Sequence, residues 1–130
     1  MIRIVMASLL LSLAACSAQS DGSKHLAPST WQFTQIDDDD PASSDAELSF
    51  DQDRIGANVG CNGLGGPWRI EDGRLIAGPL SQTRMLCQGQ VGDQERAVSA
   101  LLAGAPRVTI DGNSLLLQSS GHSAKLTRLR

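Results

Sequence analysis

Short segments that alternate apolar and polar residues, separated by turn-forming residues, run through most of the chain. A period of two predicts half-buried strands that turn one face toward a core. Asp72-Gly73 and Asp111-Gly112-Asn113 each lie between two such segments, and residues of these types tolerate the positive φ of a tight hairpin turn. The predicted strands are 31–36, 47–50, 55–59, 68–70, 74–77, 107–110, 114–117 and a last segment containing Leu126 and Leu129.

One segment has a helical period instead. Between residues 93 and 103, the apolar residues lie on one stripe of a helix. Asp93 is placed to cap the first turn, and Gly104 is placed to end the last one. These patterns predict an α+β domain with about seven to eight antiparallel strands and one helix over 93–103.

The N-terminus has the order of an export signal. A positive residue, Arg3, precedes the apolar stretch 4–13, and small residues lead up to Cys16, which predicts a signal peptide over residues 1–15. The stretch is shorter than the roughly 20 residues of a membrane-spanning helix. Leu13-Ala14-Ala15-Cys16 resembles the lipobox of bacterial lipoproteins, which implies cleavage before Cys16 and lipid on its thiol. An ordinary secretory signal would leave Cys16 as a free thiol.

The residues after Cys16 predict a tether followed by one domain. Residues 16–29 are small and polar, as in a flexible linker, which leaves 30–130 as the folded part. Two or more acyl chains anchor a protein stably to a membrane. Ser17 resembles the default outer-membrane sorting residue of Gram-negative lipoproteins, so we expect a protein held by its lipid at the outer membrane, facing the periplasm.

The two other cysteines, Cys61 and Cys87, are 26 positions apart. In an oxidising compartment such a pair favours a structural disulfide. Two alternatives stay open: buried reduced cysteines that pack as small apolar residues, and a redox-active pair. The latter normally depends on a group that stabilises a thiolate, often within Cys-X-X-Cys, and these cysteines are not in that arrangement.

Charge and composition disfavour nucleic acid as a partner. Removal of Arg3 with the signal leaves 10 Lys and Arg against 14 Asp and Glu, a formal charge of −4. The cations are scattered, whereas phosphate-backbone binding depends on a basic patch. With 2 Trp, 2 Phe and no Tyr, the chain also lacks the aromatic side chains of a base-stacking platform.

We find no catalytic, metal or cofactor signature. The glycines of 60–66 lack the Gly-Lys-Ser/Thr of a phosphate loop. His25 and His122 are too far apart in sequence to suggest a zinc set. The acidic run 37–40 is expected to be a solvated loop, although carboxylates are the ligands that Ca²⁺ prefers and a cation site there stays open.

Several separated motifs together resemble the META domain (HslJ-like) family of bacterial envelope lipoproteins. The combination of Gly-Cys-Asn with Thr-Arg-Met-x-Cys is its most specific part. The residues that carry the resemblance are Trp31, Leu48-Ser49-Phe50, Gly60-Cys61-Asn62, Gly65-Gly66, Trp68, Leu80, Thr83-Arg84-Met85, Cys87, Glu95 and Leu115-Leu116-Leu117. The run Asp37–Asp40 and Gln88-Gly89-Gln90 depart from the family pattern.

The resemblance implies a small α+β domain with a strongly bent sheet or cracked barrel, an envelope or stress-associated role, and no established catalytic residues. We therefore expect a monomeric, non-enzymatic envelope lipoprotein that binds a peptide, lipid or protein partner. The alternative is a periplasmic thiol oxidoreductase that uses Cys61 and Cys87.

Overall fold

The computed structural model describes residues 26–130, which form ten strands and one helix. No helix of this part of the chain is long and apolar enough to cross a membrane. The elements are β1 Ser29–Ile36, β2 Glu47–Phe50, β3 Ile55–Asn58, β4 Gly63–Gly66, β5 Trp68–Glu71, β6 Arg74–Ala77, β7 Ser81–Gln82, α1 Gly89–Ala103, β8 Arg107–Asp111, β9 Ser114–Gln118 and β10 Ser123–Arg128.

All ten strands belong to one antiparallel sheet in the order β5-β6-β8-β9-β10-β1-β2-β3-β4-β7. β5 stands at one end of this order and β4 next to the other end, yet Pro67 alone separates them in the chain. The short connection brings the two ends of the sheet together, so the sheet curls strongly. The α+β class, the single helix and the bent antiparallel sheet are thus confirmed, with more strands than the seven to eight predicted.

The two strands missing from the prediction, β4 and β7, lie in or beside the two motif segments, which are residues 60–66 and residues 83–87. β4 is Gly-Leu-Gly-Gly, which has no alternation of side chains and low strand propensity. Its pairing with β3 and β7 imposes the extended backbone. Glycine is needed at Gly66, because a Cβ there would lie 2.5 Å from the carbonyl oxygen of Pro79.

The predicted start of the helix was wrong. α1 begins at Gly89, with Gln88 as its N-cap residue, so Asp93 lies within the helix and pairs with Arg96 instead of capping it. The additional first turn packs directly on the preceding segment, since a Cβ at Gly92 would lie 2.4 Å from a backbone oxygen of that segment. The predicted end of the helix agrees with the structure.

One hydrophobic core lies between α1 and the curled sheet. Val98, Leu101 and Leu102 of the helix belong to the same buried cluster as the inward-facing residues of the strands. Trp68 packs edge-on against Phe50, with 4.9 Å between ring centroids. The helix therefore closes the core of the sheet.

The folded domain begins earlier than predicted. Leu26 is 0% exposed and is part of the core, and Ser29, the first residue of β1, accepts a 2.7 Å hydrogen bond from the indole of Trp31. These contacts place Leu26 and Ser29 in the folded domain, ahead of its predicted start at residue 30. The predicted signal peptide and Cys16 lie outside the described residues.

Candidate functional site

A disulfide joins the two motif segments. Cys61 and Cys87 are bonded, with 6.2 Å between their Cα atoms, which is within the usual range for a disulfide. Of the three possibilities that the sequence left open for these cysteines, the structure contains the cross-link. It ties the connection between β3 and β4 to the residues that precede α1.

The side chain of Asn62 joins the same segments by hydrogen bonds. Its Oδ1 accepts from the backbone N–H of Met85 at 2.7 Å and from the hydroxyl of Thr83 at 2.9 Å. Its Nδ2 donates to the carbonyl oxygen of Met85 at 3.0 Å. The carboxamide therefore hydrogen-bonds both the N–H and the C=O of Met85, as the backbone of a neighbouring strand would.

Glu95 links the helix to this arrangement. The residue is 5% exposed, and a buried carboxylate needs hydrogen-bond donors to offset its desolvation. Its Oε1 accepts from the backbone N–H of Asn62 at 2.6 Å, and its Oε2 accepts from Asn62 Nδ2 at 2.9 Å and Gln82 Nε2 at 3.1 Å. Two of these donors belong to Asn62 and the third belongs to Gln82 of β7, so Glu95 fixes both parts of the chain against α1.

We call the set formed by Asn62, Thr83, Met85, Glu95 and the Cys61–Cys87 disulfide the clasp. A reciprocal pair of bonds completes it: the N–H of Gly63 donates to the Thr83 hydroxyl at 3.0 Å, and the N–H of Thr83 donates to the Gly63 carbonyl oxygen at 3.1 Å. Within residues 26–130, no buried polar side-chain atom lacks a partner. The clasp is therefore a saturated network.

The motif glycines around the clasp allow close contacts. Gly60 has a φ of 128°, and a Cβ on it would lie 2.7 Å from the side chain of Val91. A Cβ on Gly65 would lie 2.9 Å from the guanidinium of Arg54. Together with Gly66 in β4, these residues have packing roles.

Arg84, the remaining motif residue, is exposed and lies outside the clasp. It borders a groove of about 740 Å³ that runs along residues 80–87 and reaches Glu95 and Arg96 of α1. Met85 and Leu86, on the same groove, are 58% and 85% exposed. Leu86 carried no functional prediction from the sequence.

The arrangement around the disulfide does not resemble a reactive centre. Both sulfur atoms and a Glu95 oxygen lie within 4.8 Å of one another, the one group of three potential metal ligands among residues 26–130. Metal binding and nucleophilic attack both need a thiolate. The disulfide has none, and an adjacent carboxylate would disfavour one after reduction.

The acidic run 37–40 forms a turn and does not assemble its carboxylates. Asp37 accepts hydrogen bonds from the backbone N–H of Ser123 at 3.0 Å and contacts His122 Nδ1 at 2.8 Å. Asp39 pairs with Ile36 through the backbone. The described residues thus tie Asp37 to the β9–β10 turn and offer no group of three cation ligands at the run.

A curled antiparallel sheet closed by one helix defines a class of small α+β domain that other proteins share. A protein solved by NMR matches it with a TM-score of 0.71 and 24% identity, over 81% of this chain and 92% of that one. An NMR structure of a protein from Burkholderia xenovorans gives a TM-score of 0.68 and 22% identity, over 84% and 88% of the two chains. At these identities the likeness concerns the fold alone.

The family follows from the sequence match over the whole described domain. The META domain model matches residues 24–130, and the chain belongs to the META domain family. The heat shock protein HslJ of Escherichia coli K12 is 29% identical over 84 residues, which is 62% of this chain. The match spans 60% of the length of that relative. The resemblance inferred from the motifs is confirmed.

Proposed function

We propose that this protein is a non-enzymatic, lipid-anchored component of the bacterial envelope that binds a partner through Met85 and Leu86, in envelope maintenance or the response to stress. One observation carries the proposal: two large apolar side chains are exposed on a segment that a buried network holds in place. The partner classes compatible with such a surface are a peptide, a lipid or another protein.

Exposure alone would be a weak argument, since isolated apolar residues are common on protein surfaces. Met85 and Leu86 differ because they adjoin a groove, and because Asn62 binds both backbone groups of Met85 while the disulfide fixes Cys87. A segment that is already ordered loses little conformational entropy on binding. The fold therefore supports a recognition role for this segment.

The envelope part of the proposal rests on the N-terminal sequence. The lipobox-like Leu13-Ala14-Ala15-Cys16 and the serine that follows it favour a lipid anchor in the outer membrane, facing the periplasm. The stress part rests on the name of the heat shock protein HslJ. Replacing Cys16 by Ser should move the protein from the membrane fraction to the soluble fraction and abolish palmitate labelling. Unchanged fractionation and labelling would contradict the anchor.

The partner-binding surface is tested by a photo-crosslinking amino acid placed at residue 86 in growing cells. Leu129, which is 46% exposed and does not border this groove, is the matched control position. We expect a discrete crosslinked product from residue 86, lost when Met85 is replaced by Ser, and none from residue 129. The same products from both positions, or none from either, would contradict the proposal.

The competing hypothesis, a thiol oxidoreductase, is less well supported. Glu95 lies beside the sulfurs where an oxidoreductase needs a group that stabilises a thiolate. A structural disulfide has a reduction potential below about −300 mV, whereas those of thiol oxidoreductases lie between about −270 and −120 mV. We expect the Cys61–Cys87 pair to fall in the lower range. A potential near that of known thiol oxidoreductases would favour the enzyme instead.

A further inference from the structure

The segment 81–85 is an edge strand longer than β7 itself. Ser81 pairs with Gly65 of β4, and Thr83 exchanges hydrogen bonds with Gly63. Met85 then binds the carboxamide of Asn62 through both its backbone groups. Residues 81, 83 and 85 therefore direct their backbone groups toward β4 and Asn62, in the alternation of an antiparallel ladder.

The residues between them face the other way. In such a ladder, Gln82 and Arg84 direct their N–H and C=O groups away from β4. Among residues 26–130, no hydrogen bond reaches the backbone of Arg84. The register pairs Gln82 with Leu64, between the bonded positions 81 and 83, where the ladder turns backbone groups away from the neighbouring strand. The groove of about 740 Å³ runs along this edge. An unpaired edge of this kind is a template for another strand.

The charges along the groove indicate the chemistry of that strand. The one acidic residue of the groove lining, Glu95, is buried and accepts three hydrogen bonds. Arg84 is exposed and makes no ion pair with the other described residues. Arg96 lies on the helical wall, where it pairs with Asp93. The charge that the groove offers a ligand is therefore the Arg84 guanidinium, which complements a carboxylate.

We propose that the partner is an extended peptide that adds as a strand to the edge 81–85. Its backbone bonds to Gln82 and Arg84, an acidic side chain pairs with the Arg84 guanidinium, and an apolar side chain covers Met85 or Leu86. This inference rests on the proposed function and names the partner class. An acyl chain has no donors or acceptors for the edge, which is why a peptide is favoured over a lipid.

The test uses a display library of random nonapeptides selected against residues 16–130 with the disulfide intact. We expect enriched peptides to contain an acidic residue and to bind through their backbone. Gln82→Pro removes one outward N–H and should weaken binding by about ten-fold or more. Gln82→Ala is the matched control, because it loses the same side-chain bond to Glu95 but keeps the N–H.

The role of the Arg84 charge is tested by the same binding measurement. Arg84→Gln should weaken binding of the acidic peptides about five-fold, the effect of one exposed ion pair. Arg107→Gln makes the same charge change on β8, away from the groove, and should leave binding unchanged. N-methylation of alternate backbone amides of an enriched peptide should abolish binding, which tests the ladder without altering the protein.

If the peptides bind the Gln82→Pro variant and the Gln82→Ala variant equally well, the proposal that they add as a strand to the edge 81–85 is wrong. If those peptides nevertheless lose affinity on Leu86→Ser, the proposed function stands and only the strand addition fails. No enrichment, together with no crosslink at residue 86, would overturn both. A concentration-dependent homodimer abolished by Gln82→Pro would assign the edge to a second copy and would also contradict the peptide.

Discussion

Replacing Asn62 by Asp exchanges one NH2 group of the clasp for an oxygen. This small change should destabilise the domain strongly. The carboxylate still accepts from the Met85 N–H and the Thr83 hydroxyl, which Asn62 Oδ1 binds at 2.7 and 2.9 Å. The atom that replaces Nδ2 becomes an acceptor. It then faces the carbonyl oxygen of Met85 at 3.0 Å and Oε2 of Glu95 at 2.9 Å.

The magnitude follows from the loss of two bonds to oxygen, and of a weaker one to the Cys87 sulfur, at a residue that is 3% exposed. Leaving a buried acceptor without its donor costs about 1–3 kcal/mol, and repulsion between the new carboxylate and Glu95 adds to that. Water can reach the exposed Met85 side and offset part of the loss. We therefore expect a decrease of about 3 kcal/mol in the free energy of unfolding.

The assay is urea unfolding followed by tryptophan fluorescence, since Trp31 is fully buried and Trp68 lies in the core. The double variant with Glu95→Gln provides the sharper test. The amide that replaces Glu95 can donate to the carboxylate that replaces Asn62. We expect the double variant to be more stable than the sum of the single effects by at least about 1 kcal/mol.

Asn58→Asp is the matched control. Asn58 is exposed, and its Oδ1 accepts a 2.8 Å hydrogen bond from the N–H of Gly60, which a carboxylate preserves. Its effect should stay within about 0.5 kcal/mol. If Asn62→Asp were equally mild, or if it combined additively with Glu95→Gln, the clasp would not be the network that fixes the two motif segments.

Three further variants, one of them with a matched control, test other parts of the fold by the same unfolding assay. Replacing Cys61 and Cys87 by Ala should cost about 3.5 kcal/mol for a loop of this length, and unchanged stability would argue against the cross-link. Gly66→Ala places a Cβ 2.5 Å from a backbone oxygen and should cost about 2–3 kcal/mol; Gly63→Ala, with nothing within 4 Å of its Cβ, should cost less than half as much. Leu26→Ala should cost about 2–4 kcal/mol, whereas no loss would return residue 26 to the tether.

The strands with alternating side chains could be predicted from the sequence, because the alternation of apolar and polar residues indicates which face of the strand is buried. β4 could not be predicted, because three of its four residues are glycines, which show no such alternation, and its conformation comes from pairing with β3. β7 is only two polar residues, Ser81 and Gln82, and its extended backbone depends on β4. Local sequence patterns do not predict a strand whose backbone conformation is set by pairing with a neighbouring strand.

The motif residues could be named from the sequence, but their roles could not. Asn62 and Glu95 are 33 positions apart, and their hydrogen bonds arise only when α1 packs against the β3–β4 connection. The disulfide was one of three sequence interpretations. Leu86 and the outward edge at Gln82 left no sequence signal, because exposure and unpaired backbone groups are properties of the assembled sheet.

The most direct test of strand addition is amide hydrogen exchange, measured by NMR with and without an enriched acidic peptide. The N–H groups of Thr83 and Met85 are bonded to Gly63 and Asn62, so they should exchange slowly in both states. The N–H groups of Gln82 and Arg84 should exchange rapidly in the free protein and at least about ten-fold more slowly in the complex. Protection of these two amides before the peptide is added, or no change when it binds, would contradict the proposed edge.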